Sequence, residues 1–235
     1  MSGDPVCKLI LVGNGSVGKS SIIARFVDDG FEKQYKQTIG LDFYEKKLLL
    51  PRDGRVVLEV WDIGGQNINS KMLTKYIYGA DVVFLCYDVT DAKSFADADD
   101  WRRLVAATDS AIDVSSRKPK KRFVYAVGNK IDLVHLRAVS EAQHQAFVVA
   151  HQLAGGFLLS AHNGDNVLRA VYQIAGRAVG LELTEFELQF YDAPVKATVA
   201  AVHDDHRTAM ADEIEAEDRR LEMAKARKKH GCRLM

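Results

Sequence analysis

Gly13-Asn14-Gly15-Ser16-Val17-Gly18-Lys19-Ser20 constrains this chain more than any other stretch. It follows an apolar run, Lys8-Leu9-Ile10-Leu11-Val12, that reads as a buried strand, and it opens a helical pattern from Lys19 to Val27. A phosphate needs several backbone N–H groups turned inward, and glycines let the main chain curl close enough to supply them. The spacing Gly-x4-Gly-Lys-Ser adds a cation at Lys19 for the β- and γ-phosphates and a hydroxyl at Ser20 for Mg2+. At ordinary residue frequencies such a match has a chance of roughly 1% in a chain this long. The strand–loop–helix setting lowers that further. A nucleoside triphosphate site is predicted, with the base still open.

Strand-like and helix-like stretches alternate around this loop. Asp42–Leu50 and Val56–Trp61 flank the turn signal Pro51-Arg52-Asp53-Gly54 and read as a hairpin. Val82–Tyr87, Phe123–Val127 and Gly156–Ser160 are further short apolar runs, with helical patterns at about 92–108, 141–153 and 166–179 between and after them. Ser140 with Gln143 fits a capping box for the second of these helices. The pattern predicts an α/β fold: a mostly parallel six-stranded sheet with one antiparallel edge strand and helices on both faces.

Charge separates the chain into parts. Lys+Arg and Asp+Glu both number 32, so no global basic field points to nucleic acid. The acids cluster from Asp204 to Asp218, and the bases Lys225, Arg227, Lys228, Lys229 and Arg233 end the chain. A globular domain is expected at 6–183 and a flexible or partly helical extension at 184–235. Cys7, Cys86 and Cys232 are too widely spaced for a zinc box or a disulfide framework, which fits a reducing compartment. The polar start and the lack of a long apolar run lead us to expect a soluble chain.

Three further motifs follow strand ends, where open α/β sheets gather ligands. They are Asp62-Ile63-Gly64-Gly65-Gln66, Asn129-Lys130-Ile131-Asp132 and Ser160-Ala161-His162. Singly, each could be a surface turn or a helix entry. In this order behind the phosphate loop, the set resembles the small GTPases of the Ras superfamily, over residues 7 to about 180. Ile39-Gly40-Leu41-Asp42-Phe43, Trp61-Asp62, Tyr76-Ile77-Tyr78-Gly79-Ala80 and Tyr87-Asp88-Val89-Thr90 resemble Rab proteins. Tyr35–Phe43 with Trp61–Gln66 resembles the divergent Rab subtype twenty-eight in particular.

The resemblance implies a P-loop NTPase small G domain that binds GTP or GDP with Mg2+. Gly13, Gly15, Ser16, Val17, Gly18, Lys19, Ser20 and Ser21 would cradle the phosphates. Asp132 would accept from the N1–H and 2-amino donors of guanine; adenine lacks both and would leave a buried carboxylate unpaired. Asn129 would address the other edge of the base, Lys130 would lie along the ring, and Ala161, between Ser160 and His162, would offer its N–H to the guanine oxygen. Phe31 stands where the family packs an aromatic across the base, although a helix-end core position is the alternative, and Tyr35 joins it at the nucleotide. Ser20 and Thr38 would hold Mg2+ directly and Asp62 through water; Gly65 would touch the γ-phosphate. Catalysis would rest on Gln66, Lys19 and Gly65, with Gln66 orienting the attacking water. Two loops tied to one phosphate and released on its loss make a binary switch. Ile39, Gly40, Phe43, Trp61 and Tyr76 would present the effector surface, though a Trp closing a strand is also an ordinary core residue.

Some positions depart from the pattern. His162 stands for the usual lysine, Ile63-Gly64 for Thr-Ala, and Asn67-Ile68 for Glu-Arg, which bears on nucleotide affinity, on the hinge of the second switch and on ordinary Rab regulators. An Arf-like reading would need Gly at position 2 for myristoylation, where this chain has Ser2. Cys232-Arg233-Leu234-Met235 is a C-a-a-X box whose terminal Met favours farnesylation; an unmodified tail cysteine is the alternative. The expectation is a GTPase switch in membrane or vesicle trafficking, endosomal or ciliary. It would work with an exchange factor, a GTPase-activating protein, effectors and a prenyl-binding carrier, in the cytoplasm and reversibly on cytosolic membrane faces. Hydrolysis without a partner is expected at on the order of 10⁻⁴ to 10⁻² s⁻¹, since no segment supplies a clear arginine in cis. The alternatives are a nucleotide-locked scaffold with negligible hydrolysis and an ATP-using phosphotransferase.

Overall fold

The apolar run ahead of the glycine loop becomes β1 (Val6–Val12) in a computed structural model that describes residues 3–28, 41–64, 71–110 and 122–192. There follow α1 (Lys19–Asp28), β2 (Leu41–Leu49), β3 (Arg55–Ile63), α2 (Lys71–Ile77), β4 (Val82–Asp88) and α3 (Ala92–Ser110). The chain continues with β5 (Phe123–Asn129), a 3-10 turn at Val134–Leu136, α4 (Glu141–Ala150), β6 (Gly155–Leu158), α5 (Val167–Ala178) and α6 (Glu185–Gln189). The strands form one six-stranded sheet in the order β2-β3-β1-β4-β5-β6. β1 pairs in parallel with β3 and β4, β4 with β5, and β5 with β6, while β2 runs antiparallel to β3. This is the sheet that the sequence predicts.

The period of two along β1 explains why both faces are covered. Leu9 and Leu11 pack with Ile22, Ile23 and Phe26 of α1 and with Val171 and Ile174 of α5. Ile10 and Val12 point the other way, into a cluster with Leu73 and Ile77 of α2 and Trp101 and Val105 of α3. β4 lies in the middle and is buried along its whole length, which is why it reads as a continuous apolar run instead of an alternating one. Because β1, β3, β4, β5 and β6 are parallel, the loops after their carboxyl ends gather along one edge.

Local chemistry sets the element ends. Ser140 caps α4 with both halves of the expected capping box. The run expected as a strand over 156–160 stops at Leu158, so Ser160 stands in the following loop, where its hydroxyl is available to side chains. The packed chain also continues past the expected boundary at 183. Thr184 caps α6 through a second box with Glu187, and Arg169 of α5 reaches Glu185 at 2.7 Å and Asp192 at 2.6 Å. Tyr191 stacks on Tyr172 with ring centroids 3.9 Å apart. Among the described residues no helix is long and apolar enough to cross a membrane. Phe31, Tyr35, Thr38, Ile39, Gly40, Gly65, Gln66 and Cys232 lie outside the described residues.

Candidate functional site

The loop between β1 and α1 is shaped by close approach. Gly13 has φ +144°, and a Cβ built there would stand 2.1 Å from the Cys86 carbonyl oxygen of β4. Gly18 has φ +94°, and its Cβ would fall 2.3 Å from Nδ2 of Asn129. Neither position has room for a side chain. Between them Gly15 is half-buried, Ser16 takes a left-handed φ of 65° at the surface, and Val17 turns into the core. Lys19 is buried at the start of α1, with half-buried Ser21 just behind it. Its ammonium donates to the carbonyls of Gly13 at 3.0 Å and Asn14 at 2.9 Å, which leaves one of its three N–H donors for a phosphate oxygen. Burial pulls the Lys19 pKa down, opposed by the neighbouring Cys86 and Asp62. Burial also pushes the Cys86 thiol up to about 12.

Asp62 is fully buried near the end of β3, level with Leu11 of β1. It accepts a hydrogen bond of 2.5 Å from the Ser20 hydroxyl. A serine hydroxyl beside a buried carboxylate offers the hard oxygen donors that Mg2+ prefers. Among the described residues no cluster of three or more His, Cys, Asp or Glu side chains could hold a metal by itself.

The second half of the site is built on Asn129, which is buried at the end of β5. Its Nδ2 donates to the Val17 carbonyl at 2.9 Å. Its Oδ1 accepts from the N–H of Lys130 at 2.8 Å and from that of Ala161 at 3.0 Å. One amide thus ties the loop after β1 to the loops after β5 and β6. Lys130, with φ +70°, sends its ammonium to the Ser16 carbonyl at 3.0 Å and to Asp88 at 2.7 Å. Buried Ser160 donates to Oδ1 of Asp132 at 2.5 Å, and His162 places Nδ1 3.5 Å from Oδ2 of the same carboxylate. The glycine loop and the loops after β5 and β6 therefore meet in one place, with the Asp132 carboxylate fixed at its edge.

Two contributors lie outside the site residues predicted from the sequence. Arg25 of α1 donates from Nε to the Ala161 carbonyl at 3.0 Å and from Nη2 to the His162 carbonyl at 2.5 Å, holding that loop against the helix. Asp88 at the end of β4 anchors Lys130. The partners are far apart in the chain, so nothing in local spacing signals them.

Phe43 and Trp61 meet edge-on at 5.5 Å between centroids, and Trp61 lies 6.4 Å from Tyr76. Phe43 is exposed, whereas Trp61 and Tyr76 are half-buried and pack on the α2–α3 face of the sheet. Lys8 sits 4.1 Å over the Trp61 ring. The cluster is an aromatic face that stays partly open to solvent.

The Ras family model matches residues 8–179. The chain is 39% identical over 186 residues to the Ras-related protein Rab-28 of Caenorhabditis elegans, covering 79% of this chain and 72% of that protein. It is 36% identical to the Ras-related protein Rab-7a of Dictyostelium discoideum, covering 74% of this chain and 83% of that protein. It is 35% identical to the Ras-related protein Rab7 of Drosophila melanogaster, covering 74% and 81%.

Proposed function

From the premise that this chain belongs to the Ras family and is a Rab-type small GTPase, we propose the residue-level reading of its switch that follows. The family cycles between GTP and GDP, hydrolyses GTP to GDP and phosphate, and serves membrane trafficking. In this chain Gly13 to Ser21 would hold the phosphates, with Lys19 supplying the cation. Asp132 would read the N1–H and 2-amino group of guanine, while Asn129, Lys130, Ser160, Ala161 and His162 frame the base. Phe31 and Tyr35 would close over the nucleotide, and Gly65 and Gln66 would face the γ-phosphate and the attacking water. Ser20 and Asp62, joined by Thr38, would hold Mg2+, which supplies positive charge to the β- and γ-phosphate oxygens when bound.

The observation that carries this reading is the Asn129 amide, which fixes the Asp132-bearing loop and the glycine loop at one separation through bonds to Val17 and Ala161. A phosphate loop tied to a carboxylate-bearing base loop is what a guanine nucleotide requires and an adenine nucleotide does not. We further propose slow intrinsic hydrolysis and a role in endosomal or ciliary traffic. Prenylation of Cys232, delivery by a prenyl-binding carrier and reversible residence on cytosolic membrane faces complete the reading. Exchange factors, GTPase-activating proteins and effectors would set its state, the effectors at Ile39, Gly40, Phe43, Trp61 and Tyr76.

Competition titration tests the site. GTP and GDP should displace a fluorescent guanine nucleotide while ATP does not. Asp132→Asn should lose GTP and gain xanthosine triphosphate, whose C2 carbonyl needs a donor. Equal competition by ATP and GTP refutes the reading.

A further inference from the structure

Asn14 is flanked by Gly13 and Gly15, so it is the only side chain of this three-residue stretch. Its side chain is held on both ends by α3. Asn14 Nδ2 donates to Oδ2 of Asp97 at 2.7 Å, and Asn14 Oδ1 accepts from Nε1 of buried Trp101 at 3.0 Å. The amide can sit in only one orientation. An indole N–H only donates, and an ionised carboxylate only accepts. Lys93 bonds the Asp97 carboxyl at 2.6 Å and, together with Asn14, holds it below its ordinary pKa, so it is an acceptor at neutral pH. The backbone carbonyl of the same asparagine receives the Lys19 ammonium at 2.9 Å. A path of contacts therefore runs from α3, through the Asn14 side chain and main chain, to the cation that meets the phosphates.

We propose that Asn14 is a positioning residue of the phosphate loop, clamped by Asp97 and Trp101 so that its carbonyl aims Lys19 at the nucleotide. This rests on the guanine-nucleotide reading of the site. Small displacements of a positioned group have large effects on the interaction it serves, and the clamp resists such displacement of Asn14.

The test is the dissociation rate of a fluorescent GDP analogue from the full-length protein loaded with Mg2+. Asn14→Asp keeps an acceptor for Trp101 but turns a carboxylate toward Asp97, and dissociation should speed up by roughly tenfold or more. Asp97→Asn keeps an acceptor for the Asn14 amide and should stay within roughly threefold of wild type. The decisive protein carries Asn14→Asp and Asp97→Asn together. It exchanges donor and acceptor, keeps the net charge of the wild type, and should return to within roughly threefold of its rate. Because the recovery is read in the double variant, poor folding of Asn14→Asp does not blunt the test. A wild-type rate in Asn14→Asp, or a double variant as fast as Asn14→Asp, overturns the proposal while leaving guanine binding intact. A wild type that binds no guanine nucleotide overturns the proposed function and this inference with it.

Discussion

Asn129→Asp replaces one NH2 by one oxygen at nearly constant volume, inside a buried amide that makes three hydrogen bonds. The two bonds accepted by Oδ1, from Lys130 and Ala161, survive. The third, 2.9 Å from Nδ2 to the Val17 carbonyl, becomes a contact between two acceptors. A lost neutral hydrogen bond costs about 1 kcal/mol, and leaving a buried acceptor unsatisfied costs about 1–3 kcal/mol. The stronger bonds that the charged oxygen receives offset part of this, so the expected loss is about 2–3 kcal/mol. With m near 2–3 kcal/mol/M in urea, the unfolding midpoint should fall by about 1 M at unchanged m. A pH series supplies the sharper test. The new carboxyl is buried, so its folded pKa lies above its unfolded value, and protonation gives it an O–H that can donate to Val17. The deficit relative to wild type should therefore be largest at pH 8 and shrink as pH falls through the folded pKa. A midpoint within about 0.2 M of wild type, against the shift expected from the m-value scaling, would refute the reasoning. So would a deficit that grows on acidification.

Gly13→Ala should abolish GDP binding and cost about 3 kcal/mol in urea unfolding, because its Cβ would stand 2.1 Å from the Cys86 carbonyl at a φ of +144°. His144 is buried with Nδ1 at 2.8 Å from the Tyr87 hydroxyl, and burial lowers its pKa below the ordinary 6.5, only partly opposed by Glu141. The unfolded chain takes the proton first, so stability is full above about 6.5 and falls as pH drops toward the folded pKa. His144→Gln should flatten that slope in a series of urea midpoints between pH 5 and 7. Cys232→Ser should leave the protein cytosolic. Neutralising Lys225, Arg227, Lys228 and Lys229 should weaken liposome co-sedimentation of the prenylated protein by about 1 kcal/mol or less per charge, in a salt-sensitive way.

What could be read in the sequence was local or periodic. The unbroken apolar run of residues 9 to 12 announced a buried strand, and the glycine spacing announced the loop, because each depends on neighbours in the chain. Ser140 and Gln143 announced a cap for the same reason. Thr184 and Glu187 carry that signal equally well, yet they lie where a composition shift suggested an extension, and α6 was missed. α2 was missed because Lys71–Ile77 is short and follows a stretch without apolar periodicity. Arg25 and Asp88 were not singled out as site residues, since a helix arginine and a strand-end aspartate take on these contacts only when the sheet brings loops from distant parts of the chain together.

The same contacts change how the motifs should be understood. Read along the chain, the glycine loop serves phosphate and Asn129–Asp132 serves the base, as if the two could be altered separately. In the folded protein Asn129 holds Val17, Lys130 holds Ser16, and the Cβ that Gly18 lacks would collide with Asn129. Each half of the site is part of the wall of the other. A substitution in the base loop that shifts Asn129 must therefore move the carbonyls of the phosphate loop, and a bulkier residue at 18 must displace the base loop. On the proposed nucleotide reading, base selectivity and phosphate affinity would be coupled through these backbone carbonyls, so any variant of Asn129 or Lys130 has to be judged on phosphate binding as well as on the choice of base.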